Sequence, residues 1–301
     1  MAEYKVLITT SGVGSRLGDL TDYTNKSLVR LGDKPSISHI IDAYPNKTDF
    51  VITLGYYGDH VRQYLEIAHP EKKFTFVEVD KYKGEGSSLV YSILQAEKEL
   101  QSPFIFHACD TITFSKIPKP SVNWCAGGHI EQENASQYRS LNVSNSLVDK
   151  INDKGYPNYD FVYIGVCGIK DYELFWSKIS QLYEKKGSST QLSDCDVINL
   201  MLANVKFKNV EVDSWCDMGN MDSLKKSRQL FENSFNVLDK PNESIFLVNK
   251  KIIKFFHDTE TVKNRAKRAE FLKNLTPTVM EVSDNFYKYE YVNGHLYADV
   301  A

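Results

Sequence analysis

The sequence predicts an α/β fold: a mostly parallel sheet with helices on both faces, followed by a small C-terminal α+β segment. Short apolar runs of strand type alternate with amphipathic runs of helical spacing from residue 4 to residue 110, the rhythm of a parallel sheet built from βα repeats. The glycine-rich and acidic stretches fall just after the apolar runs, at the carboxyl ends of strands where such sheets gather their ligands. With 301 residues, 42% hydrophobic and 25% charged, the chain has room for one large domain or two smaller ones.

Tyr4–Thr9 reads as a buried strand, and a helix over Ser36–Ala43 begins at the Pro35 boundary. Phe50–Leu54 is the second strand, closed by Gly55, and Asp59–Ala68 has the spacing of an amphipathic helix. Phe74–Val79 forms the third strand. Ser87–Leu100 follows as a helix with Ser87 in the N-cap position, and Phe104–His107 is a fourth strand ending at Cys109–Asp110. Thr190–Asp196 reads as a helix start, where Asp194 and Asp196 suit the positive end of the dipole. Asp239-Lys240-Pro241-Asn242 is a turn-rich linker, so two units are expected, 1–239 and 240–301. In the second, Ile245–Val248 and Ile252–Phe256 flank an Asn249-Lys250 turn as a β-hairpin. A basic helix, Thr261–Leu272, comes next, and a strand over Phe286–Tyr291 leads into Val292-Asn293-Gly294.

The net charge of −3, without a long basic stripe, gives no reason to expect a nucleic-acid partner. No apolar run reaches the roughly 18 residues of a membrane span. MAEYKVLITT lacks the basic and hydrophobic regions of a signal peptide. The five cysteines are widely spaced with no CxxC pair, which points to free thiols in the cytoplasm rather than a zinc site or a disulfide framework.

The most informative stretch follows the first strand. Gly12 and Gly14, within Ser11-Gly12-Val13-Gly14-Ser15, let the backbone approach a ligand and offer N–H groups to an anion. Arg16 adds a planar fork of donors for phosphate oxygens, and Lys26 a compact positive charge. The stretch has the chemistry of a triphosphate cradle. It lacks the third glycine of a dinucleotide-binding turn and the G-x-x-x-x-G-K-[ST] of a P-loop.

Gly12-Val13-Gly14-Ser15-Arg16-Leu17, Leu20-Thr21, Lys26 and Lys34-Pro35 together resemble the signature of the sugar-1-phosphate nucleotidyltransferases and the related phosphocholine cytidylyltransferases. Thr10, Ser11 and Asn25 depart from it, standing where that family has alanine, glycine and proline. Further matches come in the family's order. Lys83-Gly84-Glu85-Gly86-Ser87-Ser88 is similar to a turn that approaches the nucleotide, and Phe104–Asp110 to a strand ending in Gly-Asp, with Cys109 replacing the glycine. Asp153-Lys154, ahead of Tyr163-Ile164-Gly165, resembles a Glu-Lys-Pro segment that reaches the sugar phosphate, and Trp215-Cys216-Asp217-Met218-Gly219-Asn220 resembles Trp-x-Asp-Ile-Gly-Thr.

The resemblance implies a Rossmann-like mixed sheet, the nucleotidyltransferase fold. It implies a nucleoside triphosphate held by Ser11, Gly12, Val13, Gly14, Ser15, Arg16, Gly86 and Ser87, and a phosphorylated acceptor held by Lys26, Asp153, Lys154 and Gly165. Asp110 and Asp217 become the expected ligands of Mg²⁺, with Arg16 and Lys26 as catalytic cations. In such a reaction a phosphate oxygen of the acceptor attacks the α-phosphorus and pyrophosphate leaves in line, so catalysis is positioning and charge neutralisation. The expected activity is nucleotidyl transfer to a sugar-1-phosphate. A CTP-dependent transfer to phosphocholine or another phosphorylated small alcohol is the alternative, and a nucleotide-sensing or scaffolding protein the non-enzymatic one. His39, His60 and His69 read as solvated or capping residues of helix surfaces and ends. The tail resembles the N-terminal lobe of choline and aminoglycoside kinase-like domains, with Lys254 and Glu270 as the strand-lysine and helix-glutamate pair. No catalytic-loop motif follows, so a partial lobe of a longer kinase-containing chain is expected; the other reading is an accessory hairpin–helix unit.

Overall fold

A computed structural model of the chain describes residues 4–187, 189, 191–231, 240–273 and 275–294, without the side chains of residues 132–134. Thr190 and Asp239, which belong to the expected helix start and linker, lie outside the described residues.

The chain opens with β1 (Lys5–Thr9), a 3-10 turn over Ser15–Thr21, and a tight ribbon of β2 (Arg30–Leu31) and β3 (Lys34–Pro35). Next come α1 (Ser36–Asp42), β4 (Asp49–Leu54), α2 (Gly58–Ala68), β5 (Lys73–Glu78), α3 (Leu89–Gln95), β6 (Phe104–Ala108) and β7 (Thr111–Thr113). The middle of the chain holds β8 (Trp124–Gly128), β9 (Ser140–Ser144), β10 (Leu147–Asn152), β11 (Phe161–Ile169), α4 (Tyr172–Lys186) and α5 (Asp194–Leu202). It closes with β12 (Phe207–Val212), β13 (Trp215–Asp217) and α6 (Met221–Gln229). The tail comprises β14 (Glu243–Val248), β15 (Lys251–Phe256), α7 (Thr259–Phe271), β16 (Val279–Val282) and β17 (Phe286–Glu290).

Nine strands form one sheet in the order β5-β4-β1-β6-β11-β8-β12-β10-β9. The half from β5 to β6 is parallel throughout, as the βα rhythm predicts. Beyond it β11 runs antiparallel to β6 and β8, while β12 returns parallel to β8, so the sheet as a whole is mixed. The strand side chains divide between two cores. Val6, Ile8, Phe50, Ile52 and Ile105 face α1 and α2, where Ile37, Ile41, Val61 and Leu65 meet them. Leu7, Val51, Phe104 and Phe106 face the opposite way, onto Val90 and Ile93 of α3, Phe175 and Ile179 of α4 and Ile198 of α5. Each such side chain, removed wholly from water, contributes about 1.5–3 kcal/mol.

Two expectations are corrected. Helix α3 begins at Leu89 and ends at Gln95, inside the predicted Ser87–Leu100, and its cap is Ser88, which is extended (φ −158°) and accepts a hydrogen bond from Tyr91 N at 3.1 Å. Ser87 instead donates to Gly84 O, closing the preceding turn. His60 and His69 are not solvated: both are buried, burial holds each imidazole down at about 4, and of the two expected roles His69 has that of a cap, at the end of α2. His69 Nε2 meets Ser38 Oγ at 2.8 Å, and that hydroxyl also meets Tyr64 Oη at 2.6 Å.

The tail strands form a sheet of their own, in the order β14-β15-β17-β16, but it is joined to the rest of the chain by packing and by hydrogen bonds. The β14–β15 turn holds Asn249 and Lys250 at φ 50° and 60°, the left-handed pair that a two-residue hairpin requires. Phe246, Ile253, Phe255 and Phe286 on its inner face join the same core as Tyr64 of α2. Lys288 Nζ donates to Ile67 O at 2.9 Å, Asn285 N to Gln63 Oε1 at 2.9 Å, and Leu247 N to Asp33 O at 2.7 Å. On the outer face α7 packs Val262 against Phe256 and Tyr287. Among the described residues, no helix is long and apolar enough to cross a membrane.

Candidate active site

In the register of the parallel strands Thr9, Thr53 and Ala108 lie side by side, so the segments leaving β1, β4 and β6 emerge from one edge of the sheet. Asn25 ties two of them together. Its Nδ2 donates to Thr10 O at 2.7 Å and to Tyr56 O at 2.6 Å, while its Oδ1 accepts from Ser27 N at 2.9 Å and from Ser27 Oγ at 2.8 Å. The residue that departs from the family's proline is therefore a fully used scaffold. Gly14 is left-handed (φ 73°), and a β-carbon on it would fall 2.7 Å from Lys26 Cβ, so only glycine lets the loop close over that lysine.

A cavity of about 370 Å³ opens at this edge, lined by Ser11, Gly12, Arg16, Lys26, Ser87 and Asp110 among others. Val13, Gly14, Ser15 and Gly86 shape the loops but do not line it. A second cavity of about 210 Å³ adjoins it, with Lys154, Gly165 and Asp217 in its wall, and shares Arg16 and Asp110 with the first. Asp153 does not join them: its side chain is 90% exposed and lies 3.5 Å from Arg139 Nη1. Lys34 is likewise outside both cavities and pairs with Asp42 at 2.5 Å.

The two carboxylates, far apart in sequence, are joined by the β7–β13 ribbon. Asp217 is the register partner of Thr111, and Met218 N donates to Asp110 O at 2.8 Å. The point where a β-carbon on Gly219 would sit is 3.0 Å from Asp217 Oδ1, 3.4 Å from Arg16 Nη2 and 3.6 Å from Asp110 Oδ2. All three groups therefore converge on one spot. Lys26 Nζ donates to Asp110 Oδ2 at 3.0 Å, Tyr138 Oη to Asp217 Oδ2 at 2.8 Å, and Gly219 N to Asp217 Oδ1 at 2.8 Å.

Burial works against the charges of Asp110 and Lys26, but each raises the other's preference for the ionised form, so the aspartate lies below and the lysine above its ordinary value. Asp217 moves the other way: burial first, then the Asp110 charge, push its carboxyl up. Cys109 lies beside Lys26, and burial pushes its thiol up to about 11, leaving it neutral. Behind this turn, buried His107 meets Tyr44 Oη at 2.8 Å and Thr111 O at 3.0 Å.

The second cavity has a charged wall that the sequence showed only in part. Burial, and then the charges of Arg16 and Arg139, lower the Lys154 ammonium, so three cations stand in one cavity with Asp110, Asp194 and Asp217, and Arg139 lies 3.5 Å from both Asp153 and Asp196. Tyr163 lies in the Tyr163-Ile164-Gly165 stretch and Asp194 at the helix start already noted, whereas Arg139 and Tyr138 carry no local motif; all four line this cavity. Asp194 is buried, which raises its pKa, and accepts from Tyr163 Oη at 2.5 Å. Gly165 supplies the curvature: it is left-handed (φ 79°) at an irregularity of β11, and a β-carbon there would fall 2.9 Å from Ala108 Cβ.

In the tail, Lys254 Nζ lies over the Tyr289 ring, 5.7 Å from its centroid, and no ion pair joins it to Glu270 among the described residues.

No family model matches the chain. A Bacillus subtilis (strain 168) protein described as a probable glucose-1-phosphate cytidylyltransferase is 27% identical over 115 residues, 38% of this chain and 42% of that protein. The chain thus spans less than half the length of that curated relative. Among solved structures, a UDP-glucose pyrophosphorylase complexed with UDP-glucose aligns with a TM-score of 0.64 at 16% identity, over 77% of this chain and 99% of the other. The CTP:phosphocholine cytidylyltransferase of Streptococcus pneumoniae aligns with a TM-score of 0.62 at 20% identity, over 76% of this chain and 99% of the other. At these identities the likeness is one of fold, and the fold is the nucleotidyltransferase-like α/β fold.

Proposed function

We propose that the chain transfers a nucleoside monophosphate from a nucleoside triphosphate to a sugar-1-phosphate, releasing pyrophosphate. One observation carries this: Asp110, Asp217 and Arg16 converge on one spot, and Arg16 and Asp110 line both of two adjoining cavities, one with a glycine-loop and lysine cradle, the other lined also by Lys154, Arg139 and Asp217. A single-substrate binder has no use for the second cavity. The cradle side takes the triphosphate, with Lys26 and Arg16 neutralising charge on the transferring group and on the departing pyrophosphate. Lys154 and Arg139 attract the acceptor phosphate, and Arg16 sits between the two.

The residues fit Mg²⁺. Asp110 and Asp217 are hard oxygen donors, and their carboxylates converge on one spot at the β7–β13 ribbon. Among the described residues no group of three or more His, Cys, Asp or Glu side chains could hold an ion, so substrate phosphates would complete the coordination. When bound, the ion would draw charge off the phosphate oxygens.

A phosphorylated small alcohol such as phosphocholine is the second reading. It is favoured by the aromatic wall beside Asp217, where Tyr138 and Trp215 meet edge to face at 5.6 Å, a surface suited to an alkylammonium group. The five buried, disulfide-free cysteines suit work in the cytoplasm. The kinase-like reading of the tail rests on its order of hairpin, helix and further strands, and it lacks the lysine–glutamate pair that such a lobe would use.

Pyrophosphate release, measured with each nucleoside triphosphate against a panel of sugar-1-phosphates and phosphocholine, tests the assignment. Turnover with a sugar-1-phosphate is the expected result. No release with any combination would overturn it.

A further inference from the structure

We infer that the tail is a working part of the transfer site, with His257 as a positioning residue that holds the loop bearing Arg16 and Lys26 in shape; this rests on the nucleotidyltransferase reading above. His257 lines neither cavity, so any effect it has on transfer must pass through that loop.

The loop is sewn along its outer side to Tyr56 and Tyr57, the pair that leads into α2. Tyr56 N donates to Ser11 O at 3.0 Å, its carbonyl accepts from Asn25 Nδ2 at 2.6 Å, and its hydroxyl donates to Thr21 O at 3.0 Å. Tyr57 Oη donates to Asp22 O at 2.9 Å. Thr21 passes this support inward. Its Cγ2 lies 3.3 Å from the point where a β-carbon on Gly14 would sit, and its Oγ1 donates to Gly18 O at 3.2 Å. Thr21 thus braces the turn that closes over Lys26 and carries Arg16, groups whose placement within about 1 Å decides how well they meet a phosphate.

The tail meets this seam through His257, the residue after β15. Its backbone is fixed on both sides: N donates to Asn242 O at 2.9 Å, and O accepts from Asn285 Nδ2 at 3.1 Å. The His257 ring stands 5.0 Å from the Tyr23 ring of the loop, 5.8 Å from Tyr57, edge to face, and 6.0 Å from His60. Tyr57 also stacks on His60 at 4.8 Å, with 10° between the planes. At φ 48° Tyr57 holds a left-handed backbone that surrounding contacts must maintain, and the tail supplies part of them. The buried Nδ1 of His257 has no hydrogen-bond partner among the described residues, so the ring acts by packing.

Steady-state pyrophosphate release by the full chain, with the nucleoside triphosphate and sugar-1-phosphate that give turnover, tests this. The variants are His257→Ala, His257→Phe, Tyr23→Ala and the double alanine variant, each checked for folding by circular dichroism. His257→Ala should raise KM for the nucleoside triphosphate about threefold to tenfold, the range for lost aromatic contacts, and leave KM for the sugar-1-phosphate within about twofold. A merely structural loss would lower kcat through the folded fraction and move neither KM. His257→Phe keeps the packing and should restore the nucleotide KM. Tyr23→Ala should act as His257→Ala does, and the double variant should fall well short of the product of the two effects, since both remove one contact. If His257→Ala does not fold, Tyr23→Ala, a change at an exposed side chain, decides alone. An unchanged nucleotide KM, an equal rise in both KM values, or full multiplication in the double variant overturns the inference and leaves the transferase reading standing. No pyrophosphate release by the wild type overturns both.

Discussion

Arg16 is exposed at the wall between the two cavities, and its Nη2 approaches the same point as both carboxylates. Its removal should therefore cost rate and not folding: Arg16→Ala is expected to lower turnover by about two to three orders of magnitude, with an unchanged melting temperature. Near-normal turnover in the folded variant would remove it from the chemistry. Asp110→Asn and Asp217→Asn keep size and lose charge, so each should weaken Mg²⁺ dependence and rate together, and the double variant should be little worse than either. Additive losses would mean separate roles. Because burial and then the Asp110 charge raise the Asp217 carboxyl, its protonated form, unable to ligate a cation, persists to a higher pH than for an ordinary aspartate. The acid limb of a pH–rate profile should accordingly lie above the usual carboxylate range and move down as Mg²⁺ is raised. These three residues were legible in sequence because each sits in a motif at a strand end. Arg139 and Tyr138 were not, since nothing local marks them; only the pairing of β9 with β11 brings them to the second cavity.

Strands β1, β4 and β6 were legible because burial on both faces demands continuous apolar runs, and Leu7 and Ile8 show the division between two cores that such runs serve, whereas β8 to β12 went unread. The start of α3 was misread for a physical reason. Ser87 and Ser88 are equally good caps by residue type, and the choice is made by the backbone, with Ser87 drawn back onto Gly84 O. Strand β16 escaped notice because Met280, Glu281 and Val282 are all exposed and give no alternation to read. The loop after β1 offers an element-level test. Asn25 is wholly buried and satisfies two carbonyls and one amide, so Asn25→Ala should destabilise the protein by about 1–3 kcal/mol in chemical denaturation and weaken nucleotide binding through the displaced Lys26. Full stability with lost binding would show that the hub serves the site alone.

The tail was expected to stand apart, with 1–239 and 240–301 as separate units, yet its inner face and Tyr64 of α2 share one core. Deleting residues 241–301 is therefore expected to uncover that core and lower the melting temperature or solubility of the remainder; a truncated protein as stable as the full chain would show that the shared packing is dispensable. Acid should act on the whole molecule as well. His60, His69 and His107 are buried, and burial lowers each to about 4 against an ordinary 6.5. The unfolded chain takes up these protons first, so their contribution to stability is intact above about pH 6.5 and is lost as pH falls toward 4, roughly a few kcal/mol in total. A melting temperature that stays flat between pH 7 and 5 would contradict this, and His107→Gln should shallow the slope. The β7–β13 ribbon has a wider consequence. Phe114 N donates to Ser214 O at 3.0 Å, so the chain from residue 114 to residue 214 leaves and rejoins the site at one ribbon, while its β11 pairs with β6 in the sheet. Arg139, Lys154, Gly165 and Asp194 all ride on that excursion, whereas Ser11, Arg16 and Lys26 do not. Side chains on that excursion, those proposed here to hold the acceptor included, can drift in sequence like jaws on a fixed vice, while the ribbon keeps the spacing of Asp110 and Asp217 unchanged.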